Sequence, residues 1–98
     1  MRFHSTRDHT HQADFREAIF RGLAPDGGLY HPDSEPDLKG LFLDLSPQLS
    51  FAEMAARIIP RILPETFSEE AAAHVCRQAF PFEPALDRVT PQMYLLEL

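Results

Sequence analysis

Between Asp14 and Leu23 the apolar residues fall at Phe15, Ala18, Ile19 and Leu23, a spacing of three and four that returns once per helical turn. Asp14 is an N-cap type with Glu17 at the capping-box position, and Gly22 lies at the far end, so the stretch predicts a helix. Ser50-Phe51-Ala52-Glu53 repeats the signal ahead of Met54, Ala55, Ile58, Ile59 and Ile62. Pro60 interrupts that run and cannot donate to the carbonyl four residues earlier, which predicts a kink or an end near Ile59. Thr66-Phe67-Ser68-Glu69 reads as a third box, opening a helix with Ala72, Val75, Cys76, Ala79 and Phe80 on one face.

Elsewhere the pattern changes. Met1 to Arg7 places Phe3 and Ser5 on one side of a short strand and Arg2, His4 and Thr6 on the other. Asp33 to Pro47 is proline- and acid-rich but carries Leu41-Phe42-Leu43 and Leu45, which reads as a connector wrapped on the core. Pro81, Pro84 and Pro91 stiffen the way into Met93 to Leu98, which reads as a strand buried on both faces. No turn, cap or polar tail follows that strand, so residues 1–98 are expected to be one domain of a longer chain whose sheet continues past Leu98. The expected class is α+β: three helices with a small sheet drawn from the start, the Leu29-Tyr30 region and the C-terminal strand.

The densest stretch is Leu23-Ala24-Pro25-Asp26-Gly27-Gly28-Leu29-Tyr30-His31-Pro32. Pro25 presets φ, Asp26 can bond its own backbone two residues on, and the Gly27-Gly28 pair permits positive φ, so a tight reversal is predicted. Leu29 and Tyr30 then favour a strand that Pro32 keeps short or at an edge. The glycines do not make a phosphate loop, because the further glycines and the lysine of such loops are missing at their fixed offsets.

Composition narrows the function. A chain of 98 residues with 44% hydrophobic content supports a single, small core. Its formal charge of −6, with the basic residues dispersed, argues against nucleic acid and membrane surfaces as partners. Met1 to Arg7 has no apolar leader and no run approaches membrane-spanning length. A single cysteine, Cys76, leaves no internal disulfide and suits a reducing cytoplasm; on the apolar stripe it reads as a small core hydrophobe.

Candidate chemistry is sparse. Asp8, His9 and His11 permit at most a surface metal contact, the basis of an outlying metal-hydrolase reading, and no partner ligand set is evident, so a solvated loop is expected. Asp14, Glu17, Glu53, Glu69 and Glu70 stand at helix starts, where capping and the helix dipole account for them. The one lysine, Lys39, sits in a polar connector without the desolvated setting of a Schiff-base amine. No catalytic, cofactor-binding or metal residue is assigned.

Phe3-His4-Ser5-Thr6-Arg7, then Phe15-Arg16-Glu17-Ala18 running into Gly22 to Tyr30 and Pro32, then Leu49 to Ala55 and Tyr94 to Leu98, resemble the amino-terminal region of threonine synthases in order and spacing. Many members carry glycine where this chain has Asp8. The resemblance implies the accessory amino-terminal domain of a cytoplasmic enzyme that converts O-phosphohomoserine to threonine and phosphate with pyridoxal phosphate. It implies that the Schiff-base lysine follows in a later segment, and that this piece binds no cofactor, is inactive alone, and docks on the remaining cofactor domains. Asp26, Gly27, Gly28, Leu29 and Tyr30 form the signature turn, expected near the cleft rim. Exposed apolar surface is expected to make the isolated piece self-associate. The competing expectation is a free-standing acidic module that binds a protein through Met54, Ile58 and Ile62 or through Leu95 and Leu98.

Overall fold

The computed structural model describes residues 1–98. Its elements are β1 (Phe3–Ser5), β2 (Gln12–Ala13), α1 (Phe15–Arg21), β3 (Tyr30–Pro32), α2 (Lys39–Asp44), α3 (Phe51–Ile62), α4 (Glu69–Ala79), β4 (Ala85–Thr90) and β5 (Met93–Glu97). The class is α+β, as expected, with four helices and two antiparallel sheets. One sheet has the order β2-β1-β3, pairing His4 with both Gln12 and His31; the other is the β4-β5 hairpin. The C-terminal strand therefore joins Ala85–Thr90 and not the N-terminal strands. Asp87 and Arg88 break the apolar alternation of β4, and a bulge between Arg88 and Thr90 shifts its register, which hides that strand in the sequence.

The helix ends follow their side chains. Asp14 accepts from the Glu17 amide at 2.8 Å, and Gly22 closes α1 with φ at +74° while its N–H bonds the Ala18 carbonyl. Glu17 does not complete the box; it pairs with Arg21 at 3.1 Å. At α3 the box is complete: Ser50 Oγ accepts from the Glu53 amide at 3.1 Å and Glu53 accepts from the Ser50 amide at 2.7 Å. Those hydrogen bonds hold the Glu53 carboxyl below its ordinary range.

Three further expectations, all about the helices, are corrected. The α3 helix does not end at Ile59 but runs past Pro60 to Ile62, because Pro60 stands in the last turn and the Leu63 N–H still reaches the Ile59 carbonyl at 2.8 Å. The cap of α4 is Ser68, whose Oγ accepts from the Ala71 amide at 3.1 Å; the Thr66 amide instead closes the turn leaving α3 on the Leu63 carbonyl. Leu41-Phe42-Leu43 lies within the helix α2, a run too short to display a helical period.

The core is built of small residues. Ala72 and Cys76 are fully buried on α4, with Leu63, Ala13, Ala18 and Ala24 the other buried apolar side chains. The most extensive helix packing is α3 on α4, and Met54, Ile58 and Ile62 are half-buried along α3. Phe15 bridges the halves, its ring 6.1 Å from Phe3 and 5.8 Å from Phe67. Phe51, Phe80 and Phe82 cluster where α3 begins and α4 ends. Just beyond, the Glu83 carboxylate accepts from the Phe51 amide at 3.2 Å, tying the root of the hairpin to the start of α3.

The hairpin itself is uncovered. Every residue of β4 and β5 is exposed, correcting the expectation of a strand buried on both faces: no element of residues 1–98 lies over it. Pairing puts Leu86 beside Leu96 and Arg88 beside Tyr94 on one face and Leu95 beside Asp87 on the other, so both faces carry apolar side chains. The chain exposes 7435 Å², against roughly 5,700 Å² for a folded monomer of its mass. Its radius of gyration is 16.0 Å, against roughly 13 Å for a compact chain of this length. No helix is long and apolar enough to cross a membrane.

Removing the α3 cap with Ser50→Ala leaves the Glu53 amide unpaired, and the expected loss is about 1 kcal/mol in urea unfolding. An unchanged midpoint would show that the capping box does not support the helix pair.

Candidate functional site

Asp26 follows Pro25 in the turn, and its short carboxylate folds back onto its own backbone, Oδ1 accepting from the Gly28 amide at 2.8 Å. The turn closes through Gly27 N–H on the Ala24 carbonyl and Ala24 N–H on the Gly28 carbonyl, both at 2.9 Å, with Leu23 and Leu29 paired beyond it. The reversal predicted from Pro-Asp-Gly-Gly is thus formed. The two glycines do different work. Gly27 has φ at +78°, the left-handed conformation that favours glycine, whereas Gly28 does not have positive φ. A Cβ on Gly28 would stand 2.1 Å from Ser5 Oγ, so the requirement there is close approach.

Ser5 is the partner that the turn presses against. It is fully buried at the end of β1; its hydroxyl donates to Asp26 Oδ1 at 2.7 Å and accepts from the Arg7 amide at 3.1 Å. Next to it, Thr6 and Leu29 exchange two bonds, Thr6 N–H to the Leu29 carbonyl at 2.9 Å and Leu29 N–H to Thr6 Oγ1 at 3.0 Å. Arg7 Nη1 donates to the Asp26 carbonyl at 3.1 Å. The turn predicted as Asp26 to Tyr30 is therefore one side of a joint whose other side is Ser5-Thr6-Arg7. Composition does not mark those three as site residues, and no local signal in the sequence connects them to Gly28.

The joint sets the ionisation of its carboxylate. The Gly28 N–H, then the Ser5 hydroxyl, hold the Asp26 carboxyl below its ordinary value against the opposing effect of burial, with the positive side of His11 adding to the lowering. Asp26 Oδ2 is buried without a hydrogen-bond partner. Leu29 and Tyr30 leave the joint and line, with Phe3, Phe15 and Ile19, an apolar hollow of about 440 Å³ beside α1.

Asp8, His9 and His11 do not converge. The His9 ring stacks on His4 at 4.2 Å, and His4 stacks on His31 at 4.9 Å, while His11 turns to Asp8 at 3.8 Å. No three metal-ligating side chains are placed to hold an ion. Burial first, then the neighbouring His9 and His31, push His4 below the usual histidine range, with Asp33 opposing. Gln12, expected in the loop, pairs with His4 at the start of β2. Cys76 is buried as expected, and burial pushes its thiol up. Lys39 is exposed at the first position of α2.

Residues 2–80 match a family model described as the threonine synthase N terminus. The threonine synthase of Escherichia coli K12 is 26% identical over 98 residues, covering all of this chain and 23% of the relative. That of Methylobacillus glycogenes is 30% identical over 112 residues, covering all of this chain and 23% of the relative. The crystal structure of the Escherichia coli threonine synthase superposes with a TM-score of 0.81 at 25% identity, covering 98% of this chain and 22% of that one. The chain thus spans less than a quarter of these relatives.

Gly28→Ala is expected to cost about 2–3 kcal/mol in urea unfolding, because the added Cβ must displace Ser5 and break two hydrogen bonds. A loss under about 0.5 kcal/mol would mean that the joint yields at little cost. Because the folded Asp26 carboxyl titrates below its unfolded value of about 4, its contribution is full above that pH and is lost as pH falls through the depressed value. Stability curves measured between pH 6 and 2 should show a smaller acid-induced loss in Asp26→Asn than in the parent; identical curves would remove Asp26 from the acid limb.

Proposed function

The chain belongs to the threonine synthase N-terminus family, and from that premise we propose that it serves as the amino-terminal domain of an enzyme converting O-phospho-L-homoserine to L-threonine and phosphate in the cytoplasm. In this reading residues 1–98 are one domain that supports catalysis without performing it. Pyridoxal phosphate supplies the electron sink of that chemistry when bound, and it needs a lysine for attachment and a cradle of backbone amides for its phosphate. The residues present do not fit it. The only lysine, Lys39, is exposed at the head of a six-residue helix, without the enclosed setting in which an amine is held for covalent attachment. Attachment and turnover are therefore assigned to the remaining domains of the enzyme.

The observation that carries the reading is the uncovered hairpin. An isolated two-stranded hairpin is marginal in water, and this one presents Leu86, Tyr94, Leu95 and Leu96 more than half exposed. The surface excess over a compact monomer, about 1,700 Å², is the size of patch that a permanent interface hides. The hairpin and the apolar hollow beside α1 are the faces proposed to lie against the cofactor domains, with the Asp26 to Tyr30 turn at the rim of the cleft between them. The same apolar surface makes the isolated chain self-associate.

Two measurements test this. With O-phospho-L-homoserine and pyridoxal phosphate, the chain alone is expected to release no phosphate, and release is expected only when the separately expressed remainder of a threonine synthase is added; Leu96→Asp should cut that rescue by roughly tenfold or more. Turnover by the chain alone, or no rescue by the parent chain, would defeat the proposal. Sedimentation of the chain alone should show concentration-dependent association that Leu96→Asp reverses, whereas a clean monomer at high concentration would contradict an apolar docking face.

A further inference from the structure

Arg7 is held in a way that its function as part of a folded joint does not require. Two carboxylates stand near it and neither receives its charge. Asp8 accepts from the Thr10 amide at 2.9 Å and lies 3.8 Å from His11 Nε2, while Asp26 accepts from Ser5 and Gly28. The guanidinium is fixed by a neutral acceptor instead, the Asp26 carbonyl at 3.1 Å from Nη1, and the Arg7 amide is fixed by Ser5 Oγ at 3.1 Å. Gly27 lies beneath it; a Cβ there would come within 3.4 Å of Nη1 and 3.9 Å of Cζ.

No other arginine is braced across the fold like this. Arg21 pairs with Glu17 along its own helix, Arg16 lies over the Phe20 ring at 5.2 Å, and Arg88 bonds carbonyls of its own hairpin turn. A guanidinium has five N–H donors in a rigid fork that matches the geometry of a phosphate or carboxylate. Arg7 uses one of its five on a carbonyl and is otherwise exposed, in a chain of net charge −6. Immobilising the side chain in advance lowers the entropic cost of an ion pair made later.

We infer that Arg7 is a preformed oxyanion contact, one that takes a phosphate monoester or a carboxylate on the free edge of its guanidinium. Ser5, Asp26 and Gly27 are its mount. The site does not depend on the chain's being an accessory domain, since it is complete within residues 5–28.

The test is a heteronuclear NMR titration of the chain at pH 7 with inorganic phosphate and with acetate, at constant ionic strength held with chloride, following Arg7 Nε–H and the Gly27 amide. A saturable shift is expected at both; at the Gly27 amide, the probe the variants retain, it is lost in Arg7→Gln and weakened roughly fivefold or more in Arg7→Lys, which keeps the charge but not the fork. The Ser5 and Gly28 amides should hold their positions in both variants, showing that the joint is intact. Phosphate favoured over acetate assigns a phosphate monoester, acetate favoured over phosphate assigns a carboxylate, and an equal response assigns the shared oxyanion chemistry alone. A linear, unsaturable drift, or a saturable one that survives in Arg7→Gln, would overturn the inference. Either outcome is independent of rescue by the cofactor domains, so failure here leaves the proposed function standing and the reverse also holds.

Discussion

One carboxylate oxygen, Asp26 Oδ1, receives both the Ser5 hydroxyl and the Gly28 amide, and the position of the first thirty residues follows from that double acceptance. Ser5 is locked at the end of β1, so the central strand of the N-terminal sheet is pinned to the turn that introduces β3. The same hydroxyl then accepts from Arg7, which orders the exit from the strand. Charge-assisted bonds of this kind are roughly twice as strong as neutral ones, which lets the joint tolerate an unpartnered oxygen at Asp26 Oδ2. The constraint is steric as much as electrostatic: three segments meet at a point where even a methyl group does not fit.

The other half of the molecule rests on modest burial. Its helices meet through Ala72 and Cys76, side chains that let backbones approach closely but contribute little apolar area each. Phenylalanines supply larger contacts at two places, around Phe15 and around Phe51. Beyond Glu83 the chain leaves this body altogether, and the β4-β5 ladder holds together by pairing without a layer beneath it. A unit built like this gains from a neighbour, which is how the α+β class, the family membership and the excess surface agree.

Much of this was legible in the residues. Local chemistry was read correctly where one side chain decides the outcome: Asp14 and Ser50 as caps, Asp26 folding onto the Gly28 amide, Cys76 as a buried hydrophobe. It was misread where a distant partner decides. The Thr66 to Glu69 spacing reads as a box opened by Thr66, but the turn leaving α3 takes the Thr66 amide and the capping falls to Ser68. Leu41 to Leu43 is too brief to reveal a period, and the Asp87-Arg88 pair masks a strand that becomes clear only beside Tyr94 and Leu95. The joint was half-visible: Asp26 to Tyr30 stood out by composition, but Ser5 and Arg7 are ordinary residues that the fold makes special. Nothing local says that Gly28 lacks a side chain to make room for a hydroxyl at Ser5.

The placement of Cys76 has a use of its own. It is the chain's only thiol, it is sealed between the helices, and its raised pKa keeps it in the unreactive protonated form. Its helix, α4, is separated in the element order from the N-terminal joint by α2 and α3, and directly precedes the hairpin. A maleimide therefore acts as a clock for opening of the helical body: every labelled molecule records an excursion that uncovers the inner face of α4.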